Sequence, residues 1–568
     1  MLKILMVGAL LCSFTYVKPT EAFGVNGGIP CGVCTTVVGI LEQYIEIHNA
    51  SVIEAVDILC KIMPQEFRTM CYDAMKILGP PLIDLLIRKE TADVICYSVK
   101  ICHVDVGQQQ CHLFPLPNSF TDSYIVSTQK WLMKKHPILQ QHISDIGFSP
   151  CNLPGISQLC KWLKRIFEDH DPAFDRDGDL FSIWKTYRGS TWRGKDCNDL
   201  EKNIYPGRRP LDGDVEVDSN CNGIHGVEPD TGEAYEEKFC NATSYGFVTL
   251  GDSISAHAHI PYQWFTAADL TEEIFTNLTF VLSNELDWPH LSFATGYSNI
   301  NWPIAQGATD SIYLRLRERN RCNHRDFQNL AINGATSLSF VDFHDSLSRN
   351  KTADKPLLVL YAIQANDVCN SFPDTLKHVT PPEVFRQNVL RTLNQLEILL
   401  PLGSHVLLLE LIDGSVLYDA LATRLHPLGY LHKDVTYKEL YAWLNCMEMT
   451  PCVGWQTPNA TLRQLLTEKA MLLSAQLKDI AQKYKFKSFD MFYIENPTKT
   501  VIQEWLQKGH ELWQLIEPVD GFHPNVIAES LSAGVLWQDI LKCCPEVVGE
   551  INPHNEDIAK LFGNQGGY

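Results

Sequence analysis

The sequence contains no G-x-S-x-G pentapeptide and no H-E-x-x-H run. The first absence argues against the usual nucleophile elbow of an α/β-hydrolase, and the second against a zinc-protease helix. No stretch after residue 22 reaches the roughly 18 uninterrupted apolar residues that span a bilayer. Basic residues are scarce. The chain has 47 Lys and Arg against 67 Asp and Glu, a net charge of −20. That balance argues against nucleic acid as a partner, because phosphate binding needs clustered cations.

What is present begins with a secretory pattern. Lys3, an apolar run over 4–14 and small or polar residues up to Ala22 read as a signal peptide over 1–22. The chain holds 19 cysteines, and removing Cys12 with the signal leaves an even number, as a disulfide framework requires. Five N-x-S/T acceptors, at Asn49, Asn241, Asn277, Asn350 and Asn459, fit glycosylation in the same compartment. The expected location is secreted, with vesicular or lysosome-like compartments beside it. A chain of 568 residues implies two or more domains.

Residues 27–104 carry Cys31, Cys34, Cys60, Cys71, Cys96 and Cys102 among helix-period patterns. Val33, Val37, Leu41, Tyr44 and Ile45 mark one apolar stripe. Ser51 with Glu54 forms a capping-box pattern before a second helix. A third is expected over 64–78, stopping at Gly79-Pro80, and a fourth over 81–99. Cys31-x-x-Cys34 also has redox spacing, but no βαβ pattern surrounds it. Six cysteines over four helices resemble the saposin B-type domain, assigned here to 27–106. The resemblance implies the pairs Cys31–Cys102, Cys34–Cys96 and Cys60–Cys71, and a lipid partner. The alternative is a disulfide-stapled bundle used only for packing.

Residues 107–243 read as a linker with an acidic stretch over 168–223. Over 168–218 thirteen acids face eight Lys and Arg. Alternating carboxylates and amides among glycines suit calcium, which gathers several oxygen ligands. The expected structural ligands are Asp171, Asp175, Asp177, Asp179, Asp196, Asn198, Asp199, Asp212, Asp214, Glu216, Asp218, Asn220 and Asn222. Cys197 and Cys221 would pin the clusters. The EF-hand pattern is incomplete, since Pro229 stands where the bidentate Glu belongs. The alternative is a solvated acidic linker.

From 244 to 568 apolar runs at 246–250, 356–363, 405–412 and 486–494 alternate with amphipathic stretches such as 382–400 and 460–484. The pattern predicts an α/β fold with a parallel sheet covered on both faces. Catalytic groups of such folds gather at the carboxyl ends of strands. GDSISAH (251–257) puts Ser253 there, either as a helix cap or as a nucleophile. Ser255 is the rival nucleophile. Asp520-x-x-His523 could supply an oriented base. Gly334 and Asn366 could supply oxyanion donors. His257 and His259 carry no assignment, and the cluster around Trp288 reads as core or as a lipid contact.

The order GDS, Gly334, Asn366, Asp520-x-x-His523 resembles the SGNH/GDSL hydrolases. Ile254 departs from the leucine of that family's motif, Gln364 stands at its usual glycine, and the interval from Ser253 to Gly334 is long. The combination with a saposin-like domain and an acidic linker resembles the acyloxyacyl hydrolases over almost the whole mature chain. That resemblance includes GKDCNDLEKNIYPGRRP, DSNCNGIHGVEPD, LGDSISAHAHI and NELDWPHLS. It implies hydrolysis of secondary fatty acyl chains of lipid A in bacterial lipopolysaccharide, with transient contact with a membrane or lipid aggregate. It also implies proteolysis into small and large subunits joined by a disulfide from Cys111, Cys151 or Cys160. The alternatives are a broader phospholipase or acyl esterase with the same residues, and a catalytically silent lipid carrier.

Overall fold

Apolar runs without polar alternation must be covered on both faces, and the four runs of the second half all become strands. The structure is a computed structural model that describes residues 24–115, 122–142, 151 and 156–568. The signal segment, with Cys12, lies outside the described residues. The strands are β1 (Gly246–Gly251), a separate antiparallel hairpin of β2 (Asn299–Trp302) and β3 (Ala305–Ala308), β4 (Phe327–Asn329), β5 (Leu357–Ala362), β6 (Ser404–Leu409) and β7 (Phe489–Ile494). The main sheet has the order β4-β1-β5-β6-β7, and every neighbouring pair in it is parallel.

Side chains alternate across this sheet, so each strand feeds two cores. Val248, Val359 and Val406 face the helices Pro382–Leu399 and Ala460–Lys483, where Val389, Leu393, Leu473 and Leu477 are fully buried. Phe247, Leu358 and Leu407 face the helices Ile312–Arg319 and Val526–Cys543, against Leu316, Leu536 and Ile540.

The N-terminal helices are α1 (Gly28–His48), α2 (Val52–Lys61), α3 (Gln65–Ile87) and α4 (Ala92–Ser98). α1 is long and apolar enough to cross a membrane, but it is mostly buried inside the molecule. Ser51 and Glu54 close the capping box at the start of α2. The expected stop at Gly79-Pro80 does not occur, because α3 carries Pro80 and Pro81 inside it. A proline forfeits a backbone bond in mid-helix. Here Leu78, Leu82 and Leu85 continue one buried face across the prolines, and that face keeps the helix in place. The break comes later, at 88–91, so the expected fourth helix is divided between α3 and α4.

Disulfides join Cys31–Cys102, Cys34–Cys96 and Cys60–Cys71. Further helices, Asp122–Lys135, Pro137–His142 and Ile156–Glu168, occupy the first part of the stretch read as a linker. Asp122–Lys135 packs on the module, with Gln129 donating to the Tyr97 carbonyl at 2.8 Å. The helical module is anchored to the sheet-bearing body. Gln43 donates to the Leu428 carbonyl at 2.6 Å, Val25 N–H to the Met447 carbonyl at 3.0 Å, and Cys111 is bonded to Cys446. Cys151 pairs locally with Cys160, so among the three cysteines considered for a bridge only Cys111 spans the two parts.

Candidate active site

β1 ends on Gly251 because nothing larger fits. A Cβ there would lie 2.3 Å from Ser255 Oγ. Asp252 then caps the short helix Ser253–Ala256, its Oδ1 accepting from Ile254 N–H at 3.1 Å. Its Oδ2 accepts from the backbone N–H groups of Gln364 and Ala365 at 2.8 and 3.1 Å, tying the end of β5 to the turn after β1. Burial pushes this carboxyl up to about 6, against the pull of the three backbone donors.

Ser253 stands at the first position of that helix, largely buried at the strand end. Its Oγ is 2.8 Å from His523 Nε2. His523 Nδ1 is 2.7 Å from Asp520 Oδ2. A carboxylate can only accept, so Nδ1 donates and Nε2 is left to accept from the serine hydroxyl. Asp520 is itself fixed, since its Oδ1 accepts from Phe522 and His523 N–H at 2.7 and 3.1 Å. Gly521 has φ +60° with Tyr441 Oη 2.4 Å from where a Cβ would sit, so glycine is required between the two. Ser253 and the Asp520-x-x-His523 pair, 270 residues apart, thus form one hydrogen-bonded chain. Ser255, the rival, is fully buried in the same helix.

Gly334 lies in the turn after β4 at φ +73°. Ile332 N–H donates to the Gly251 carbonyl at 3.0 Å, which holds that turn beside the end of β1. Asn366 follows β5, and its amide donates to the Ala335 carbonyl at 3.1 Å. The two oxyanion candidates are therefore linked to each other and flank the Ser253 turn. The Asn366 amide keeps a second hydrogen that this bond does not use. Gln364 accepts from Asn496 at 2.9 Å, giving a role to the side chain at the departing position. An apolar cavity reaches His523 and is lined also by Ile254, Leu409, Ile412, Leu417 and Phe522.

Three buried acids near the site carry no sequence assignment. Glu517 Oε2 lies 2.8 Å from His259 Nδ1; burial lowers this imidazole, but Glu517, the Ile304 backbone and Asp520 together raise it. Glu529 accepts from Phe293 N–H at 2.7 Å. Asp252 was legible only as part of GDS. Trp288 is core, fully buried with its indole N–H on the His259 carbonyl at 3.0 Å.

In the acidic stretch Asp175, Asp177 and Asp179 bring carboxylate oxygens within 4.8 Å of one another. Asp175 shapes the loop by accepting from Gly178 and Leu180 N–H at 2.7 and 2.8 Å. Both oxygens of Asp177, and one each of Asp179, Asp196 and Asp199, are buried without a hydrogen-bond partner. Burial first, and the neighbouring carboxylates second to it, push Asp196 up to about 6 and Asp179 to about 8. Cys197 and Cys221 are bonded to each other. The second loop differs. Asn220 and Asn222 donate to Glu236, which the sequence reading missed, and their amide oxygens accept backbone N–H groups. Asp218 accepts from Asn222 and Gly223 N–H, and Asp214 accepts from Ser219 Oγ at 2.5 Å. Asp212 and Glu216 are exposed, and Asp171 faces Arg193 at 3.7 Å. Asn198 donates its backbone N–H to Asp196 at 2.9 Å. Of the acceptor sites for glycans, Asn277 is half-buried and the other four are exposed.

The acidic stretch also touches the turn that carries Gly334. Arg188 is buried, paired with Glu285, stacked over Trp192 at 3.7 Å, and donates to the Ala331 carbonyl at 2.8 Å.

Comparison with known proteins agrees with this architecture. A saposin-like domain is matched over residues 30–161, and a GDSL-like lipase/acylhydrolase over 247–533. The chain is 44% identical over 546 residues to the acyloxyacyl hydrolase of Homo sapiens, covering 96% of this chain and 94% of that protein. It is 43% identical over 542 residues to the acyloxyacyl hydrolase of Oryctolagus cuniculus, covering 95% and 93%. Prosaposin of Gallus gallus is 23% identical over 82 residues, 14% of this chain and 16% of that protein.

Proposed function

The chain belongs to the acyloxyacyl hydrolase family, a group of ester hydrolases, and from that premise we propose that it removes secondary fatty acyl chains from lipid A of bacterial lipopolysaccharide. Ser253 is the nucleophile, His523 the general base and Asp520 its orienting acid. The observation that carries this reading is the unbroken Ser253–His523–Asp520 hydrogen-bond chain, whose His523 lines an apolar cavity.

His523 Nε2 takes the Ser253 proton as Oγ attacks the ester carbonyl. The oxyanion is met by the backbone N–H of Ser253, that of Gly334 and the Asn366 amide. His523 then gives its proton to the departing hydroxyl of the carrier acyl chain. Water, deprotonated by His523, releases the fatty acid from Ser253. Asp520 holds the ring and stabilises the imidazolium throughout. The apolar cavity suits the leaving acyl chain, and the saposin-like module helps draw that chain from an aggregate.

Calcium fits Asp175, Asp177, Asp179, Asp196 and Asp199, because unpartnered buried carboxylate oxygens are costly without a cation. The ion would hold the segment folded against the wall carrying Gly334. Secretion, glycosylation at the five acceptors and a cut into small and large subunits complete the proposal. The Cys111–Cys446 bond supports the last of these, since it would join the two parts after a cut between them.

The test is fatty acid release from purified lipopolysaccharide, read by mass spectrometry for the native protein and Ser253→Ala. Release of secondary chains only, abolished by the substitution, is expected. Release from phospholipid through Ser253 while lipopolysaccharide is spared would overturn the substrate. Lipid binding with no release from either would favour a carrier.

A further inference from the structure

His259 and Glu517 lie 258 residues apart, and neither belongs to the triad, yet their side chains meet. A carboxylate can only accept, so His259 Nδ1 donates to Glu517 Oε2, at 2.8 Å. The two side chains are 16% and 2% exposed, so water has little access to replace this bond. Burial disfavours a charged imidazole here, but Glu517 leads the neighbours that raise it overall. A hydrogen bond to a carboxylate in such surroundings is a strong one.

Each partner is built into one half of the site. The helix Ser253–Ala256 ends at His257, which lies in the left-handed region at φ +57°, and Ala258 N–H turns back to the Ser253 carbonyl at 2.9 Å. His259 comes next. Its N–H donates to the Leu286 carbonyl at 3.2 Å, and its own carbonyl accepts from the Trp288 indole at 3.0 Å. Glu517 closes the loop of the base. Its N–H donates to the His523 carbonyl at 2.8 Å, and its carbonyl accepts from Gly521 N–H at 3.0 Å. A displacement of Glu517 is therefore passed on to His523.

In the resting protein the Ser253 hydroxyl also joins the two halves, 2.8 Å from His523 Nε2. Acylation removes that link, because an esterified Oγ has no proton to donate. The base must nonetheless stay within reach of the water that attacks the acyl ester. We propose that His259 and Glu517 are a positioning pair that holds the loop of Asp520 and His523 against the nucleophile segment, and that this hold matters most in the acyl-enzyme, while water attacks. The proposal rests on the reading of Ser253 as the nucleophile of an ester hydrolase. His259 and Glu517 act through His523. With the pair intact, His523 keeps its place when Ser253 no longer anchors it, takes the proton of the incoming water and returns it to Ser253 Oγ as the fatty acid leaves.

Hydrolysis of a water-soluble p-nitrophenyl ester is followed before and during the steady state for the full chain, for His259→Ala, for Glu517→Ala, for the two together and for His259→Asn. In each alanine variant kcat should fall by about tenfold or more while kcat/KM falls by about threefold or less, because kcat/KM reports acylation and kcat the slowed deacylation. A burst approaching about one nitrophenolate per protein should appear, with the acyl group found on Ser253 by peptide mass spectrometry. The double variant strands no buried charge and should be no slower than either single one. His259→Asn, whose amide can donate from the position of Nδ1, should recover most of the rate. Equal falls in kcat and kcat/KM with no burst, in step with a lowered thermal transition, would make the pair a packing contact and overturn the proposal. Losses that multiply in the double variant would show that the two residues act apart and would also overturn it. Undiminished hydrolysis by Ser253→Ala would instead remove the nucleophile on which the proposal rests, and so sink the esterase reading itself.

Discussion

At His523 two opposing effects meet. Burial disfavours the imidazolium, but Asp520 at 2.7 Å, with Asp252 and Glu517 behind it, outweighs burial and lifts the imidazole above its ordinary value. A general base must be neutral, so kcat/KM should fall as pH drops through a midpoint above the ordinary value of about 6.5. The stability contribution has the opposite window. It is fully present below the unfolded pKa and is lost as pH rises through the folded one. Asp520→Asn removes the neighbour that does most to lift the imidazole. The acid limb should move to lower pH and kcat should fall by about 10³–10⁴. A pH–rate profile with an unmoved limb would show that Asp520 does not face the working base. Ser253 and His523 were legible because each sits in a short local pattern, GDS and Asp-x-x-His. Glu517 was not, since its relation to His259 spans the fold and leaves no spacing to read.

At the scale of elements, the site depends on segments that lean on one another. Arg188 belongs to the acidic stretch, Glu285 to the loop region before β2, and Ala331 to the turn that carries Gly334. Removing one partner of a fully buried ion pair strands the other charge, at a cost of about 3–5 kcal/mol. Arg188→Ala should therefore lower the unfolding free energy by that order, seen as a lower denaturant midpoint, and reduce kcat through the Gly334 turn. A variant with native stability and rate would mean the turn is held without Arg188. The aspartate cluster predicts a cation effect with a definite sign. Carboxyls held at raised pKa by burial destabilise the cation-free fold as pH rises through the range from about 4 to about 8. A chelator should lower the melting temperature more at pH 8 than at pH 5, and calcium should restore it. Equal melting with and without chelator at pH 8 would remove calcium from the account. Long elements were legible here and short ones were not. The helices at 382–399 and 460–483 carry their period over several turns, whereas β4 has three residues and no pattern of its own. Glu236 was missed because it reaches Asn220 and Asn222 from a separate helix.

At the scale of the whole molecule, the helical module and the sheet-bearing body are joined by the Cys111–Cys446 bond across 335 residues. If the chain is cut between Cys111 and the acidic stretch, the two pieces should migrate together on a non-reducing gel and apart after reduction. Separation without reductant would mean that the bond does not form. Spacing could not have named Cys446, because a long-range pair leaves no local trace, whereas the six module cysteines lie within one recurrent pattern. The α/β class followed from apolar runs that need cover on both faces, and the sheet order came only with the fold. The central claim is that Ser253, placed by the end of β1 and fired by His523, is the nucleophile. It is tested most directly by reacting the native protein with a fluorophosphonate ester and mapping the adduct by peptide mass spectrometry. The account predicts one adduct, on Ser253, that is lost in Ser253→Ala and strongly slowed in His523→Ala. An adduct on Ser255, or labelling of Ser253 that is indifferent to His523, would contradict it.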